Sequence, residues 1–317
     1  ADGVAAARAL RSETGELFVF DLSDLGGPPS NSDHLPLGRI AFLQTLLRDR
    51  PDGLRLFHAT HGLGEGAEPP SLRGAAMAAL MRMLPAEHPG LVARTVDADT
   101  APENIEAWRE LLVGEAARTA EPDSEIRYRD GERLRPGLRA SLLAPSEGLA
   151  PFVVPDGTYV VTGGTRGIGL ALAQALVAAG VRRLALIGRT VLPPESEWVG
   201  LLADERGDPA LRAKLAPLAA LRDAGVKIAL HGGALTDGDA LAAFLARVRT
   251  SLGPIAGVIH AAGLIGGERP RFLDKLTDDF AAVAEPKVEG LDTLLDTLAG
   301  DSPGFVLLCS SIASAVP

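Results

Sequence analysis

Residues 159–180, YVVTGGTRGIGLALAQALVAAG, place Gly163, Gly167 and Gly169 directly after an apolar run of strand length and directly before a run with helical periodicity. Glycines there permit a tight turn and close approach of backbone to a ligand, while the helix start offers unpaired N–H groups and partial positive charge to an anion. The chemistry this serves is binding of a pyrophosphate. The alternative, a strand-to-helix turn with no ligand, is disfavoured because strand, turn, helix and a second strand follow in the order of a dinucleotide-binding unit. Candidate contacts are Gly163, Gly164, Thr165, Arg166, Gly167, Ile168 and Gly169. Leu172, Leu176 and Val177 are expected to seat the helix on the sheet, with Gly180 closing it. The second strand, in RRLALIGRT, ends on Arg189, where NAD-binding units usually carry an acid for the ribose hydroxyls. An arginine suits a 2′-phosphate, so NADPH is expected over NADH. Arg166, inside the turn, could reach the same phosphate, although from position alone either arginine could be a solvated surface charge.

The elements that must hold this turn are set by a chain of 317 residues, long for one ordinary domain and comfortable for two. Apolar residues make up 46% and charged ones 23%, a composition able to bury a core. With 31 Lys and Arg against 41 Asp and Glu the net charge is −10, and no basic stripe offsets it, so nucleic acid and anionic membrane are poor partners. The single cysteine, Cys309, excludes an internal disulfide framework, and the first residues lack the basic and apolar segments of a secretion signal. No stretch reaches the ~18 uninterrupted apolar residues of a spanning helix. A cytoplasmic location is expected, with no metal site. The first residue is Ala, which hints at a piece of a longer polypeptide.

Between about 16 and 100, ELFVFDL, GLRLFHAT and LVARTVDA are strand-length apolar runs separated by segments with helical spacing, as at Ile40, Leu43 and Leu47. The segment EIRYRDGERLRPGLRA alternates around Asp130-Gly131, a two-residue hairpin signal, and is expected to leave this first layer as a link. The prolines at 145, 151 and 155 mark the boundary, giving domains at 1–150 and 151–317. Beyond it TYVVTGG, RRLALIGR, VKIALHGG, GVIHAAG and GFVLLCSS alternate with helical patterns, which calls for a parallel sheet covered on both faces. The connection at 190–211 is long and reads as functional or as an insertion.

The run from Thr162 to Gly169 resembles the glycine motif of short-chain dehydrogenases/reductases, and GVIHAAG resembles their motif after the fourth strand. EPKVEGLDTLLDTL, FVLLCSSIASA, GAAMAALMRMLPAEHPGLVARTVDAD and EIRYRDGERLRP are similar, more narrowly, to ketoreductase domains of modular polyketide synthases, and the likeness spans nearly the whole chain. GRTVLPPESEWVG looks more like modules served by a separate acyltransferase. The resemblance implies an α/β fold. A degenerate Rossmann-like structural subdomain precedes a doubly wound, Rossmann-like catalytic one. It further implies NADPH-dependent reduction of the β-keto group of an acyl chain carried on the phosphopantetheine arm of an acyl carrier protein, beside other synthase domains. Carried over by motif, Ser311 would donate its hydroxyl to the carbonyl oxygen, and Lys287 would hold the ribose and lower the pKa of the proton donor. The loop His260, Ala261, Ala262 and Gly263 would line the cofactor.

The chain also departs from the family pattern. Ala234 stands where an adenine-contacting Asp is common, leaving the backbone around Leu235 for that role, and a Leu-Asp-Asp fingerprint of one alcohol configuration is missing at Ile265, Gly266 and Gly267. The family's tyrosine acid, a dozen or so residues beyond the serine, is not in the sequence, whose tyrosines are Tyr128 and Tyr159. The expectation is that the chain is part of a longer domain. The rival expectation is a non-catalytic scaffold derived from a ketoreductase. A free-standing reductase of small metabolites is disfavoured by the ~150 residues ahead of the turn.

Overall fold

The structure is a computed structural model and describes residues 15–26, 35–49, 53–63, 72, 74–140, 153–154, 156–264 and 268–312. Most of the boundary segment around prolines 145, 151 and 155, and the fingerprint positions Ile265, Gly266 and Gly267, lie outside them. In chain order the elements are β1 (Leu17–Asp24), α1 (Leu37–Asp49), β2 (Leu54–His61), α2 (Ala75–Glu87), β3 (Val92–Ala98), α3 (Ile105–Ala116), β4 (Glu125–Arg129), β5 (Glu132–Leu134), β6 (Thr158–Thr162), α4 (Gly167–Ala178) and β7 (Arg183–Gly188). There follow α5 (Trp198–Ala203), α6 (Pro209–Asp223), β8 (Lys227–Gly232), α7 (Gly238–Leu252), β9 (Ile255–His260), α8 (Thr277–Ala284), α9 (Glu289–Thr297) and β10 (Val306–Leu308). The chain divides into two compact units, one drawn from 1–141, 266–281 and 311–317, the other from 142–265 and 282–310.

In the first unit the sheet order is β1-β2-β3-β4-β5, parallel as far as β4. Because side chains alternate faces, Leu54, Leu56 and Ala93 meet α1 and α2 on one side, while Phe57, Ala59, Val96 and Ala98 meet Trp108 and Leu112 of α3 on the other. The Asp130-Gly131 hairpin does not leave this layer as expected from its sequence. Asp130 (φ 50°) and Gly131 (φ 77°) turn β5 back antiparallel on β4, and β4 joins β3. The cause is Glu115, fully buried at the end of α3, which draws in Tyr128 of β4 (2.6 Å) and Arg133 of β5 (2.6 Å). A segment that follows β9 in the chain also belongs here. Phe272 packs among Leu43, Leu47 and Leu84, its N–H donates to Glu87 (2.7 Å), and Gln44 donates to the carbonyls of Phe272 and Lys275 (2.8 Å each).

The second unit is a parallel sheet of order β10-β9-β6-β7-β8. The chain runs outward from β6 through β7 to β8, then returns to the other side of β6 as β9 and continues to β10. That reversal opens a crevice at the carboxyl ends of β6 and β9, the ligand position of such sheets. The order of the first sheet never reverses, so the same rule gives it no crevice. Helix starts are local: Asp208 and Asp237 cap α6 and α7 by accepting from the N–H of Ala210 and Ala240. The long 190–211 connection is a packed insertion. Trp198 is fully buried, donates from its indole N–H to the Pro193 carbonyl (2.9 Å) and lies under Arg222 (5.5 Å). β10 is short, and Val306, Leu307 and Leu308 are exposed at the sheet edge.

Candidate active site

Thr162 ends β6 and Gly163 follows at φ 67°, in the left-handed region that favours glycine. A Cβ at Gly163 would sit 2.7 Å from the Ala261 carbonyl oxygen, and one at Gly169 would sit 2.4 Å from the Gly163 carbonyl oxygen. Gly164 is as tight, 2.8 Å from the Val161 carbonyl. The turn therefore folds on itself and against the exit of β9 more closely than any side chain allows. Gly167 (φ 55°), by contrast, has nothing within 4 Å of a Cβ and faces open space. Thr165 is seated against Gly188, where a Cβ would come within 2.9 Å of its hydroxyl, and this ties the turn to the tip of β7.

α4 begins at Gly167 with no side-chain cap from Arg166, so the first N–H groups of the helix are left for an external acceptor. Arg166, Ile168 and Arg189 are exposed, and neither guanidinium group makes a hydrogen bond or ion pair among the described residues. A cradle closed to side chains, uncapped donors and two uncommitted guanidinium groups fit a phosphorylated dinucleotide.

Lys287 sits after α8, and its Nζ donates to the carbonyls of Leu264 (3.2 Å) and Val283 (2.9 Å). Burial lowers its pKa from the ordinary lysine value. A Cβ on Gly263 would lie 3.5 Å from its Cε. One short loop, 261–264, thus touches the glycine turn at Ala261 and the lysine at Gly263 and Leu264. His260, at the tip of β9, is buried beside Thr162, with Nδ1 to hydroxyl 3.0 Å, and Ala262 N–H donates to that same hydroxyl (3.1 Å). Burial most of all, and then the Lys287 charge, lower the pKa of His260 against the opposing pull of the Pro286 carbonyl.

The Leu235 side chain is buried in the core beside Gly290 of α9, so only its backbone is left for a ligand, while Ala234 is exposed. Ser310 and Ser311 follow β10, and both are exposed; Ser311 is counted with the first unit and Lys287 with the second. Tyr128 donates to Glu115, and the Tyr159 hydroxyl accepts from Val154 N–H (2.8 Å) within the core. Among the described residues no group of three or more His, Cys, Asp or Glu is placed to hold a metal, and no helix is long and apolar enough to cross a membrane. Thr162 is the participant that sequence reasoning missed. The signal was present, a hydroxyl at the very tip of an otherwise apolar strand.

The switch-point crevice and glycine cradle define a Rossmann-like, short-chain-reductase type of dinucleotide-binding protein. Residues 157–317 match the KR domain, and the chain belongs to that ketoreductase family, whose members are oxidoreductases that use a nicotinamide cofactor. It is 35% identical over 301 residues to polyketide synthase PksL of Bacillus subtilis, covering 93% of this chain but 6% of that protein. It is 30% identical to 6-methylsalicylic acid synthase of Aspergillus terreus, covering 90% of this chain and 16% of the relative. The chain therefore spans a small part of these multidomain relatives. Among solved structures, A-type ketoreductases from a modular polyketide synthase superpose with TM-score 0.73 at 25% identity, over 98% of this chain and 64% of theirs. A ketoreductase domain from the bacillaene assembly line gives 0.71 at 21%, over 95% and 70%, a likeness of fold.

Proposed function

We propose that this chain takes part in NADPH-dependent reduction of the β-keto group of an acyl chain borne by an acyl carrier protein, giving the β-hydroxy product. It would act within a cytoplasmic polyketide synthase, with residues 151–317 holding the chemistry and 1–150 serving as its scaffold. The observation that carries this reading is the shared loop. Residues 261–264 abut the glycine turn at one end and Lys287 at the other, so a dinucleotide bound on that turn would share one side of the loop with the lysine.

The N–H groups at the start of α4 would take the pyrophosphate, and Arg189, aided by Arg166, the 2′-phosphate. Bound NADPH supplies a hydride for the carbonyl carbon. The partly desolvated ammonium of Lys287 would hold the ribose and favour proton release from the acid, while Ser311 would donate a hydrogen bond to the carbonyl oxygen as charge develops there. A second reading is a ketoreductase-derived scaffold that keeps the glycine cradle and binds the dinucleotide without turnover. An assay of NADPH oxidation by the intact protein with a β-ketoacyl thioester separates them. Turnover at ~1 to 1000 per second supports the enzyme, whereas NADPH binding without turnover supports the scaffold.

Arg189→Ala is expected to weaken NADPH binding by about 1.5–3 kcal/mol through loss of a charge-assisted contact and to leave NADH nearly unchanged. Fluorescence titration with both nucleotides checks this. Equal losses for the two would mean that Arg189 does not read the 2′-phosphate.

A further inference from the structure

The tip of β7 gathers more positive charge than Arg189 supplies. The chain leaves the strand by folding over the end of β8, so closely that a Cβ on Gly232 would lie 2.5 Å from the Val191 Cα and 2.8 Å from the Thr190 carbonyl oxygen. The Gly233 N–H also donates to the Gly188 carbonyl (2.9 Å), so backbone contacts fix Thr190 while its side chain stays exposed. That hydroxyl accepts from Nζ of Lys214 on α6 at 3.4 Å, a long hydrogen bond to a neutral group. The ammonium is in no ion pair among the described residues, although the chain carries 41 acids against 31 bases. Lys214 reaches the tip because α6 lies on the crossover between the parallel strands β7 and β8, runs against them, and starts at their carboxyl end. Leu215 and Leu218 seat it in the core with Leu184 and Leu186. Arg166 follows Thr165, which abuts Gly188, and Arg189 stands between Gly188 and Thr190. The residues bearing three uncommitted cations, Arg166, Arg189 and Lys214, are thus tied to one stretch of backbone, 188–190.

We propose that Lys214 is a specificity-determining residue of the cofactor site, which delivers its ammonium, together with the Thr190 hydroxyl, to a phosphate monoester on the 2′ position of the adenosine ribose. The inference deepens the NADPH reading above and rests on it. A phosphate monoester carries about −1.5 to −2 charges near pH 7 and three acceptor oxygens, more than the planar fork of one guanidinium can satisfy. On binding, Nζ exchanges a neutral hydroxyl for a charged acceptor, the stronger partner. Thr190, no longer an acceptor, is then free to donate its own proton to the same phosphate. A lysine suits this role, because its compact charge sits on a flexible stem that rests on Thr190 until the anion arrives. The 2′-hydroxyl of NADH offers no such charge, so the ammonium gains nothing from it.

Isothermal titration of the intact protein with 2′,5′-ADP and with 5′-AMP, which differ only in the 2′-phosphate, tests this without any turnover. Lys214→Met keeps the apolar stem and removes the charge, and should lower affinity for 2′,5′-ADP about tenfold and for 5′-AMP less than about twofold. Lys214→Arg, which keeps the charge, should retain most of the wild-type preference, and Thr190→Val should lower 2′,5′-ADP affinity about threefold. Added salt should narrow the gap between wild type and Lys214→Met, because the lost contact is one of exposed charges. Equal losses of the two nucleotides in Lys214→Met would assign the lysine to the adenosine or to packing and overturn the proposal. It is equally overturned if Lys214→Met binds 2′,5′-ADP as the wild type does while Arg189→Ala does not, an outcome that leaves the arginine as the reader of the phosphate. A wild-type protein that binds 2′,5′-ADP and 5′-AMP alike would instead refute the 2′-phosphate reading itself, and Lys214 with it.

Discussion

Gly169→Val should weaken binding of the nicotinamide dinucleotide at least about a hundredfold while the protein stays folded, an effect of lost phosphate-site geometry rather than of lost charge. The residue lies in the first turn of α4, where any Cβ would fall 2.4 Å from the Gly163 carbonyl oxygen and 2.7 Å from its carbon. Both are backbone atoms of the cradle, so neither can swing aside as a flexible side chain would. Relief requires the turn to move off the helix start, which carries its donors away from the pyrophosphate. Gly225→Asn is the matched control. Its φ is also positive, at 83°, but nothing lies within 4 Å of a Cβ there, and it sits at a turn after α6. That change should cost about 1 kcal/mol of stability and leave dinucleotide affinity alone. Isothermal titration together with circular dichroism of both variants decides the matter. If folded Gly169→Val binds within threefold of wild type, the close approach is not what shapes the site.

Glu115→Gln should destabilise the first unit by about 3–5 kcal/mol, the usual penalty for breaking a buried ion pair from one side. Glu115 and Arg94 are both fully buried and meet at 2.8 Å, and Arg133 adds contacts of 2.6 and 3.0 Å to the same carboxylate. The remaining donors of Arg94 go to main-chain carbonyls of Asp123, Glu121, Arg118 and Glu115, so its guanidinium is fully engaged with no other carboxylate in contact. Neutralising Glu115 leaves that charge in the interior without compensation. Burial opposes ionisation of Glu115, but Arg133, Tyr128 and Arg94 outweigh it and hold its pKa below the ordinary glutamate value. A carboxyl with a depressed folded pKa contributes stability that is complete above its unfolded pKa, about 4.3, and is lost as pH falls through the folded one. The wild type should thus lose stability in acid, and the Gln variant, already without this contribution, should show a shallower acid limb. Urea unfolding at neutral and acid pH measures both. A loss under about 1 kcal/mol at neutral pH would mean that the network is relieved by water or by rearrangement.

The amino-acid sequence by itself determined the strands, the helices between them, the glycine turn and the arginine at the tip of β7. These follow from local rules. Apolar periodicity selects strand or helix, and a backbone that must turn at φ 67° and pack within van der Waals contact of itself demands glycine where Gly163 and Gly169 stand. The resemblance carried by longer motifs added the family, which the matched KR domain establishes. Tertiary structure alone decided what each polar residue meets. Thr162 and His260 are 98 residues apart, and Gln44 and the Phe272 segment 228 apart, separations over which no periodicity carries information. For the same reason the hairpin of β4 and β5 read as a link, although the buried carboxylate of Glu115 on α3 holds it to the sheet. Leu235, placed by motif near the adenine, has its side chain in the core because α9 packs over it, Gly290 against its Cβ. A sequence states which face of an element is apolar, but the partner that covers that face, and the group that a buried hydroxyl or imidazole meets, are supplied by chain returning from far away.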